Sequence, residues 1–139
     1  MTNITIRETN SDDYQAISAI LHTTGLARDW FTPELFTKLL MKNKGHYFVA
    51  TRNQTVLGTI FSSHDGGYFG YIYKLAVLPE YQHEGIGSAL LQHVIAAFEN
   101  IGVNWQFAHI NDDNTASLSL LAKHGIIPQK HIIVAMRQG

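Results

Sequence analysis

The chain has 139 residues, and this length predicts one domain, spanning 1–139, that buries roughly 68% of the surface its unfolded form would expose. The formal net charge of −1 gives no basic surface for nucleic acid, so we expect no nucleic-acid partner. Cysteine is absent, which excludes disulfide bonds, thiolate metal sites and a cysteine acyl-enzyme.

The amino-terminal stretch MTNITIRETN lacks a basic region followed by an apolar one. No apolar run approaches the roughly 20 residues of a membrane helix. We therefore expect neither export nor membrane insertion, and a cytoplasmic location. The histidines show no paired spacing of the kind that binds zinc on a helix, so no metal is predicted.

The first half of the chain predicts a strand, two helices and a hairpin. Ile4–Thr9 alternates apolar and polar residues, as a half-buried strand does. Apolar residues at helical spacing follow from Tyr14 to Leu21, and Pro33 suits the first position of a second helix that ends near Asn43. The hairpin consists of strands 46–51 and 55–62, joined by residues 52–54.

The second half predicts alternating strands and helices. In chain order these are a strand at Phe69–Leu78, a helix at Ser88–Ile101, a strand at Val103–Ile110, a helix at Thr115–His124, and one or two strands within Ile126–Met136. This order predicts an α/β fold with a mixed, mostly antiparallel sheet of six to seven strands and helices on both faces.

A short glycine loop lies between the longest predicted strand and the next helix, with the sequence Gln82-His83-Glu84-Gly85-Ile86-Gly87-Ser88. The first backbone N–H groups of a helix have no partner within it, and the helix dipole places partial positive charge there. Two glycines remove side chains that would keep an anion away. The loop is therefore predicted to bind phosphate.

Two nucleotide-binding patterns fail at this loop. A mononucleotide P-loop needs a lysine after its last glycine, and none follows Gly87 within reach. A dinucleotide fingerprint needs a third glycine, where this chain has Leu90. A loop whose glycines serve only a tight turn is the structural alternative.

The run from Leu75 to Leu91, LAVLPEYQHEGIGSALL, resembles the acetyl-CoA-binding core of the GNAT superfamily of N-acetyltransferases. That family has Arg/Gln-x-x-Gly-x-Gly/Ala after a strand that ends in an apolar-small-apolar triplet and a proline. A second family segment, an asparagine that opens a helix ending in Gly-Phe, is similar to Asn114 through Gly125-Ile126. The resemblance covers nearly the whole chain and implies a GNAT-like sheet.

The resemblance implies a site for acetyl-CoA as co-substrate, in which Asn114 touches the pantetheine arm. The N–H of Val77 would stabilise the oxyanion of a tetrahedral intermediate. The strand edge that pairs with the pantetheine amides would consist of Leu75, Ala76 and Val77. The pyrophosphate would be held by the backbone N–H groups of Gln82, His83, Glu84, Gly85, Ile86, Gly87 and Ser88.

The implied activity is transfer of acetyl to a primary amine of a small molecule or peptide by direct attack. A base should help, because an alkyl amine is mostly protonated at neutral pH. His109 is the first candidate, with Tyr71 and Tyr73 next. A structural role for the histidine, and a place in the groove or core for the tyrosines, are the alternatives.

One position departs from the family pattern. Many members have a tyrosine four residues before the glycine that ends the last helix, where it protonates the leaving thiolate, and this chain has Leu121. Either the thiolate leaves unaided, or His124 or a water takes the role, or the protein is a non-catalytic acyl-CoA-binding module. Family members are often dimers, so a homodimer is a further expectation, although no residue identifies an interface.

Overall fold

The computed structural model of the protein describes residues 3–138 and divides into two compact units, Met1–His109 and Ile110–Gly139. The single domain 1–139 stays a prediction. None of the helices within residues 3–138 has the length and apolar character needed to cross a bilayer. The strands are β1 (Thr5–Glu8), β2 (Tyr47–Arg52), β3 (Thr55–His64), β4 (Phe69–Val77) and β5 (Trp105–Ala108). The helices are α1 (Tyr14–Thr23), α2 (Pro33–Lys42), α3 (Ile86–Asn100) and, in the second unit, α4 (Thr115–Lys123).

Local capping chemistry explains where the first two helices begin. Asn10 and Asp13 form a capping box at a short 3-10 turn that leads into α1. The side chain of Thr32 accepts a hydrogen bond from the N–H of Leu35, and Pro33 occupies the first turn of α2. Both starts agree with the prediction.

The first unit contains a mixed sheet with the strand order β1-β2-β3-β4-β5. The first three neighbouring pairs are antiparallel, and β4 pairs with β5 in parallel. The parallel pair arises because α3 carries the chain from the end of β4 back to the start of β5, as in other β-α-β connections. The α/β class is confirmed, whereas the prediction of a mostly antiparallel sheet is corrected to a mixed sheet, because the α3 crossover makes β4 and β5 parallel.

The predicted count of six to seven strands is wrong, because the described residues form five. The missing strands were predicted in Ile126–Met136, and residues 126–138 contain no strand. Apolar, β-branched residues favour extended backbone, but a strand exists only where its N–H and C=O groups pair with a neighbour. This segment makes no such ladder, and the side chain of Ile133 is 90% exposed.

Side chains on the two faces of the sheet pack against different helices. On one face, α1 and α2 bury a cluster that includes Ile17, Phe36, Tyr47 and Phe61. The rings of Tyr47 and Phe61 stack with centroids 4.1 Å apart. This face lies beneath the segment that joins α1 to α2, since Phe31 belongs to the same cluster.

The opposite face packs against α3 through two glycines. A Cβ added to Gly70 would come within 2.7 Å of the ring of Phe98, and one added to Gly58 within 3.2 Å of Leu90. Both α3 residues are fully buried. The close approach fixes the helix that follows the glycine loop directly on the sheet, so the loop has a rigid support.

A β-bulge interrupts β4 near its middle. Ile72 pairs with Ser62 and Tyr73 with Phe61, but Ala76 pairs with Thr59, so β4 carries one extra residue. Lys74 lies at this point with φ of 53°, in the left-handed region. The bulge divides β4 into a half that pairs with β5 and a half that leads to the glycine loop.

Candidate active site

The glycine loop lies between β4 and α3 as predicted, and Gly85 within it sets up the helix start. Gly85 is the N-cap of α3 with φ of 84°, and no side chain caps this end. The first helical hydrogen bond runs from the N–H of Ala89 to the carbonyl of Gly85 at 3.0 Å. An uncapped amino terminus of a fifteen-residue helix is therefore directed at the loop.

Three of the predicted phosphate-binding N–H groups are available. Within residues 3–138, no hydrogen bond takes the N–H of His83, Glu84 or Gly85. His83 also has positive φ, at 66°, which turns successive N–H groups to one side of the loop. Gln82 differs, since its N–H donates to the carbonyl of Pro79 at 3.3 Å. The arrangement fits a pyrophosphate, with Gln82 outside the donor set.

An arginine that the sequence analysis did not single out braces this loop. Arg52, at the end of β2, donates to Glu84 Oε1 at 2.8 Å and lies 5.5 Å from the ring centroid of Tyr81. A carboxylate beside an anion site would repel a phosphate, and the guanidinium offsets its charge. The contact joins residues 32 positions apart, so no local pattern could have revealed it.

The half of β4 beyond the bulge has one unpaired edge. The β4–β5 ladder ends at Ile72 with Ala108, so the strands separate beyond that point. The N–H of Leu78 donates to β3, and by alternation the backbone groups of Val77 and Leu75 point to the opposite edge.

The three predicted edge residues therefore differ in role. Ala76 pairs with Thr59 of β3, whereas Leu75 and Val77 present their backbone groups at the open edge. The side-chain amide of Gln82 donates to the carbonyl of Val77 at 3.0 Å. The N–H of Val77 is thus the group of this residue that a ligand could use.

Two of the three predicted base candidates lie in contact at the point where the strands separate. The hydroxyl of Tyr71 and Nδ1 of His109 are 3.0 Å apart, and the two rings have centroids 5.0 Å apart. Which atom donates depends on the tautomer of the histidine. His109 directly follows the last residue of β5, so it borders the opening between β4 and β5.

The third candidate, Tyr73, is directed elsewhere. Its hydroxyl is hydrogen-bonded to the hydroxyl of Tyr47, within the cluster under α1. Burial raises the pKa of Tyr73, and burial together with Tyr73 raises the pKa of Tyr47. Burial raises the pKa of Tyr71 as well. These hydroxyls stay protonated at neutral pH, which favours the histidine as the proton acceptor.

Lys74 is a second residue that the sequence analysis did not single out. At the bulge, its Nζ donates to the carbonyl of Leu26 at 2.9 Å and lies 5.3 Å from the ring centroid of Trp30. Burial, with the nearby charge of Arg28, lowers the pKa of Lys74. The lysine attaches the segment between α1 and α2 to the strand. A bulge is not visible in a residue pattern, so its place could not be predicted.

The second unit, taken by itself, holds the remaining predicted residues. Asn114 is the N-cap of α4, and its Oδ1 accepts a hydrogen bond from the N–H of Ser117 at 3.2 Å. Leu121 is the buried residue of this helix, and His124 is its C-cap. The contact of Asn114 with pantetheine and the replacement of the thiolate acid at Leu121 stay predictions.

Comparison with known proteins identifies the family. The acetyltransferase (GNAT) family matches residues 6–126. An acetyltransferase of Pectobacterium atrosepticum is 26% identical over 119 residues, which cover 85% of this chain and 84% of that protein. The structure of yncA from Salmonella typhimurium with its cofactor acetyl-CoA is 25% identical with a TM-score of 0.73, and covers 88% of this chain and 78% of that chain.

A third similar protein shares the fold at lower identity. The ribosomal-protein-S18-alanine N-acetyltransferase from Escherichia coli is 23% identical with a TM-score of 0.71, and covers 88% of this chain and 77% of that chain. The family match spans most of the chain, from β1 to the end of α4. The protein therefore belongs to the GNAT family of acetyltransferases and is an acetyl-CoA-dependent acyltransferase.

Proposed function

We propose that this protein transfers acetyl from acetyl-CoA to a primary amine of a small molecule or peptide by direct attack. The observation that carries the proposal is one continuous path along β4. It starts at the uncapped end of α3, follows the unpaired edge at Val77 and Leu75, and ends at the bonded pair Tyr71 and His109. Along this path, the proposed binding groups and the proposed proton acceptor would lie within reach of one extended ligand.

The backbone is proposed to bind the co-substrate. The N–H groups of His83, Glu84 and Gly85, with the start of α3, would hold the pyrophosphate. The edge at Leu75 and Val77 would pair with the pantetheine amides, so that the thioester oxygen faces the N–H of Val77. A fixed N–H there stabilises negative charge that develops on this oxygen.

His109 is proposed to accept the proton. With Nδ1–H donating to the Tyr71 oxygen, the lone pair of Nε2 is free for a proton of the attacking amine. A carbon–nitrogen bond forms, the carbon–sulfur bond breaks, and the thiolate takes a proton from water. In this arrangement, Tyr71 positions the imidazole ring of His109 and fixes its tautomer.

Thiol release tests the function directly. The chain contains no cysteine, so a thiol reagent reports only free coenzyme A. We expect release from acetyl-CoA that depends on added amine and gives a stoichiometric acetamide by mass spectrometry. Binding of coenzyme A without turnover over a broad amine panel would support the acyl-CoA-binding module instead. Absence of coenzyme A binding would contradict the phosphate site.

A further inference from the structure

An exposed row of rings extends from the Tyr71–His109 pair along the first halves of β4 and β5. We call this row the aromatic ladder, and it consists of Phe69, Tyr71, Trp105, Phe107 and His109. In the parallel pair, Phe69 is opposite Trp105 and Tyr71 is opposite Phe107, so these side chains share one face of the sheet. The rings of Phe69 and Phe107 have centroids 4.9 Å apart.

The ladder is exposed although it is apolar. Trp105 is 57% exposed, Phe69 42% and Phe107 40%. The other face of the same strands lies against α3, since Gly70 meets the ring of Phe98. A contiguous apolar surface of this kind is uncommon on a soluble protein and marks a place where a ligand or partner binds.

The residue pattern of β5 is the reverse of what packing alone requires. A half-covered strand usually places apolar residues toward the core and polar residues toward water. In β5, Gln106 and Ala108 lie on the side of α3, whereas Trp105 and Phe107 point away from it. The strand therefore places its largest rings on the open face of the sheet, which favours a role for them in binding a ligand.

The charges around the ladder restrict what it can bind. Among the described residues, no carboxylate is hydrogen-bonded to a ladder side chain. Asp65, four residues before Phe69, accepts hydrogen bonds from the N–H groups of Gly67, Tyr68 and Phe69. The contacts of the ladder thus consist of ring faces rather than carboxylates, and ring faces can bind a single ammonium.

We propose that the aromatic ladder is the acceptor site and that the acceptor is an arylalkylamine, a primary amine joined to an aromatic ring by a short alkyl chain. This rests on the proposed function. The ring packs on Phe69, Trp105 and Phe107, and the amine reaches His109. Two residues along β5 span about 7 Å, so a ring stacked on Phe107 brings an amine on a short alkyl chain toward His109.

The first test compares amines on the full chain with acetyl-CoA. We expect kcat/KM for 2-phenylethylamine to exceed that for ethanolamine and for spermidine by about tenfold or more, because burying a ring lowers the free energy of binding. Equal or better use of ethanolamine or spermidine would leave the proposed acetyl transfer standing and overturn the arylalkylamine assignment.

The second test uses variants of the ladder. Phe107→Ala and Trp105→Ala should raise KM for 2-phenylethylamine about tenfold with kcat and KM for acetyl-CoA nearly unchanged. Met41→Ala removes an exposed apolar side chain on α2 and serves as the matched control. If an alanine variant fails to fold, Phe107→Leu and Trp105→Phe replace it in the same measurement of KM for 2-phenylethylamine. An unchanged KM in all folded ladder variants would overturn the assignment.

Binding without chemistry separates this inference from the proposed function. In a titration of the protein and coenzyme A with 2-phenylethylamine, we expect NMR shifts at the amides of β4 and β5 and at the Trp105 indole. Shifts there without turnover would support the ladder and contradict the acetyl transfer. If light scattering shows a dimer that Trp105→Ala makes monomeric, and the amine causes no shifts, the ladder is an interface between copies and the assignment falls.

Discussion

The two ends of the proposed site are built in different ways. The phosphate end uses backbone N–H groups of one contiguous segment, ending at Gly85 and the start of α3. The reactive end uses side chains from separate strands, with Tyr71 on β4 and His109 after β5. A backbone site tolerates many side chains but depends on φ and on helix position, whereas the side-chain site depends on a few atoms. Substitutions should therefore affect binding at one end and rate at the other.

The largest expected effect belongs to the reactive end. His109→Ala should lower kcat by about 100-fold or more, because general base catalysis contributes on this scale. The affinity for coenzyme A, measured by calorimetry, should not change. His93→Ala removes an exposed histidine from α3 and is the control. An equal kcat in both variants would remove His109 as the base.

A glycine substitution tests the phosphate end. Gly85→Val should weaken coenzyme A binding by about tenfold or more, since a β-branched residue is strained at φ of 84° and displaces the N–H groups. Gly25→Val is the matched control, because Gly25 also has positive φ, at 78°, and also has open space around an added Cβ. If both variants lose stability and neither loses affinity, the loop is only a tight turn.

Loss of the ion pair between Arg52 and Glu84 should have a smaller effect. Arg52→Ala should raise KM for acetyl-CoA about fivefold at low salt and leave kcat nearly unchanged, because Glu84 then lies uncompensated beside the anion. The double variant Arg52→Ala with Glu84→Gln removes the carboxylate charge and should recover most of the loss. A lowered kcat in Arg52→Ala at an unchanged KM would contradict this positioning role.

The smallest effect concerns stability and the support beneath α3. His46 is 5% exposed, and its ring lies 5.7 Å from that of Phe98 and 4.6 Å from that of His64. Burial lowers the pKa of His46, and the charge of His64 lowers it further, although Glu8 acts in the opposite direction.

Below the ordinary histidine value of about 6.5, the unfolded chain therefore binds a proton that the folded chain resists. The free energy of unfolding should be at its full value above this pH, because His46 is then neutral in both states. It should decrease as the pH drops below it. Urea unfolding at several pH values checks this, with His46→Phe expected to have the flatter profile. A wild-type stability that is constant down to pH 5 would contradict the prediction.

Sequence reasoning performed best where a function depends on consecutive residues. The glycine loop between β4 and α3 could be placed because strand, glycines and helix each have local signals. Capping residues fixed the helix starts for the same reason. The strands predicted in Ile126–Met136 were wrong, since residue propensity does not supply the neighbouring edge that a strand needs.

Contacts between distant residues were harder to predict. Tyr71 and His109 were both candidates, but only the register of β4 against β5 shows that they touch. The residue pattern gave no signal for the hydrogen bond between Tyr47 and Tyr73 or for the ion pair between Arg52 and Glu84. Each joins side chains more than 25 positions apart, and such pairs depend on tertiary structure.

The bulge at Lys74 changes which side chains of β4 face each side of the sheet. Before it, odd-numbered residues such as Tyr73 face α1, and after it the even-numbered Ala76 does so. The two halves of the strand are therefore out of phase with each other. We expect that Phe69 can be exchanged to alter acceptor preference, with Gly70 and Tyr73 kept for packing, while residues 75–77 keep their orientation toward the co-substrate. Deleting Lys74 should restore a single phase and disrupt both ends at once.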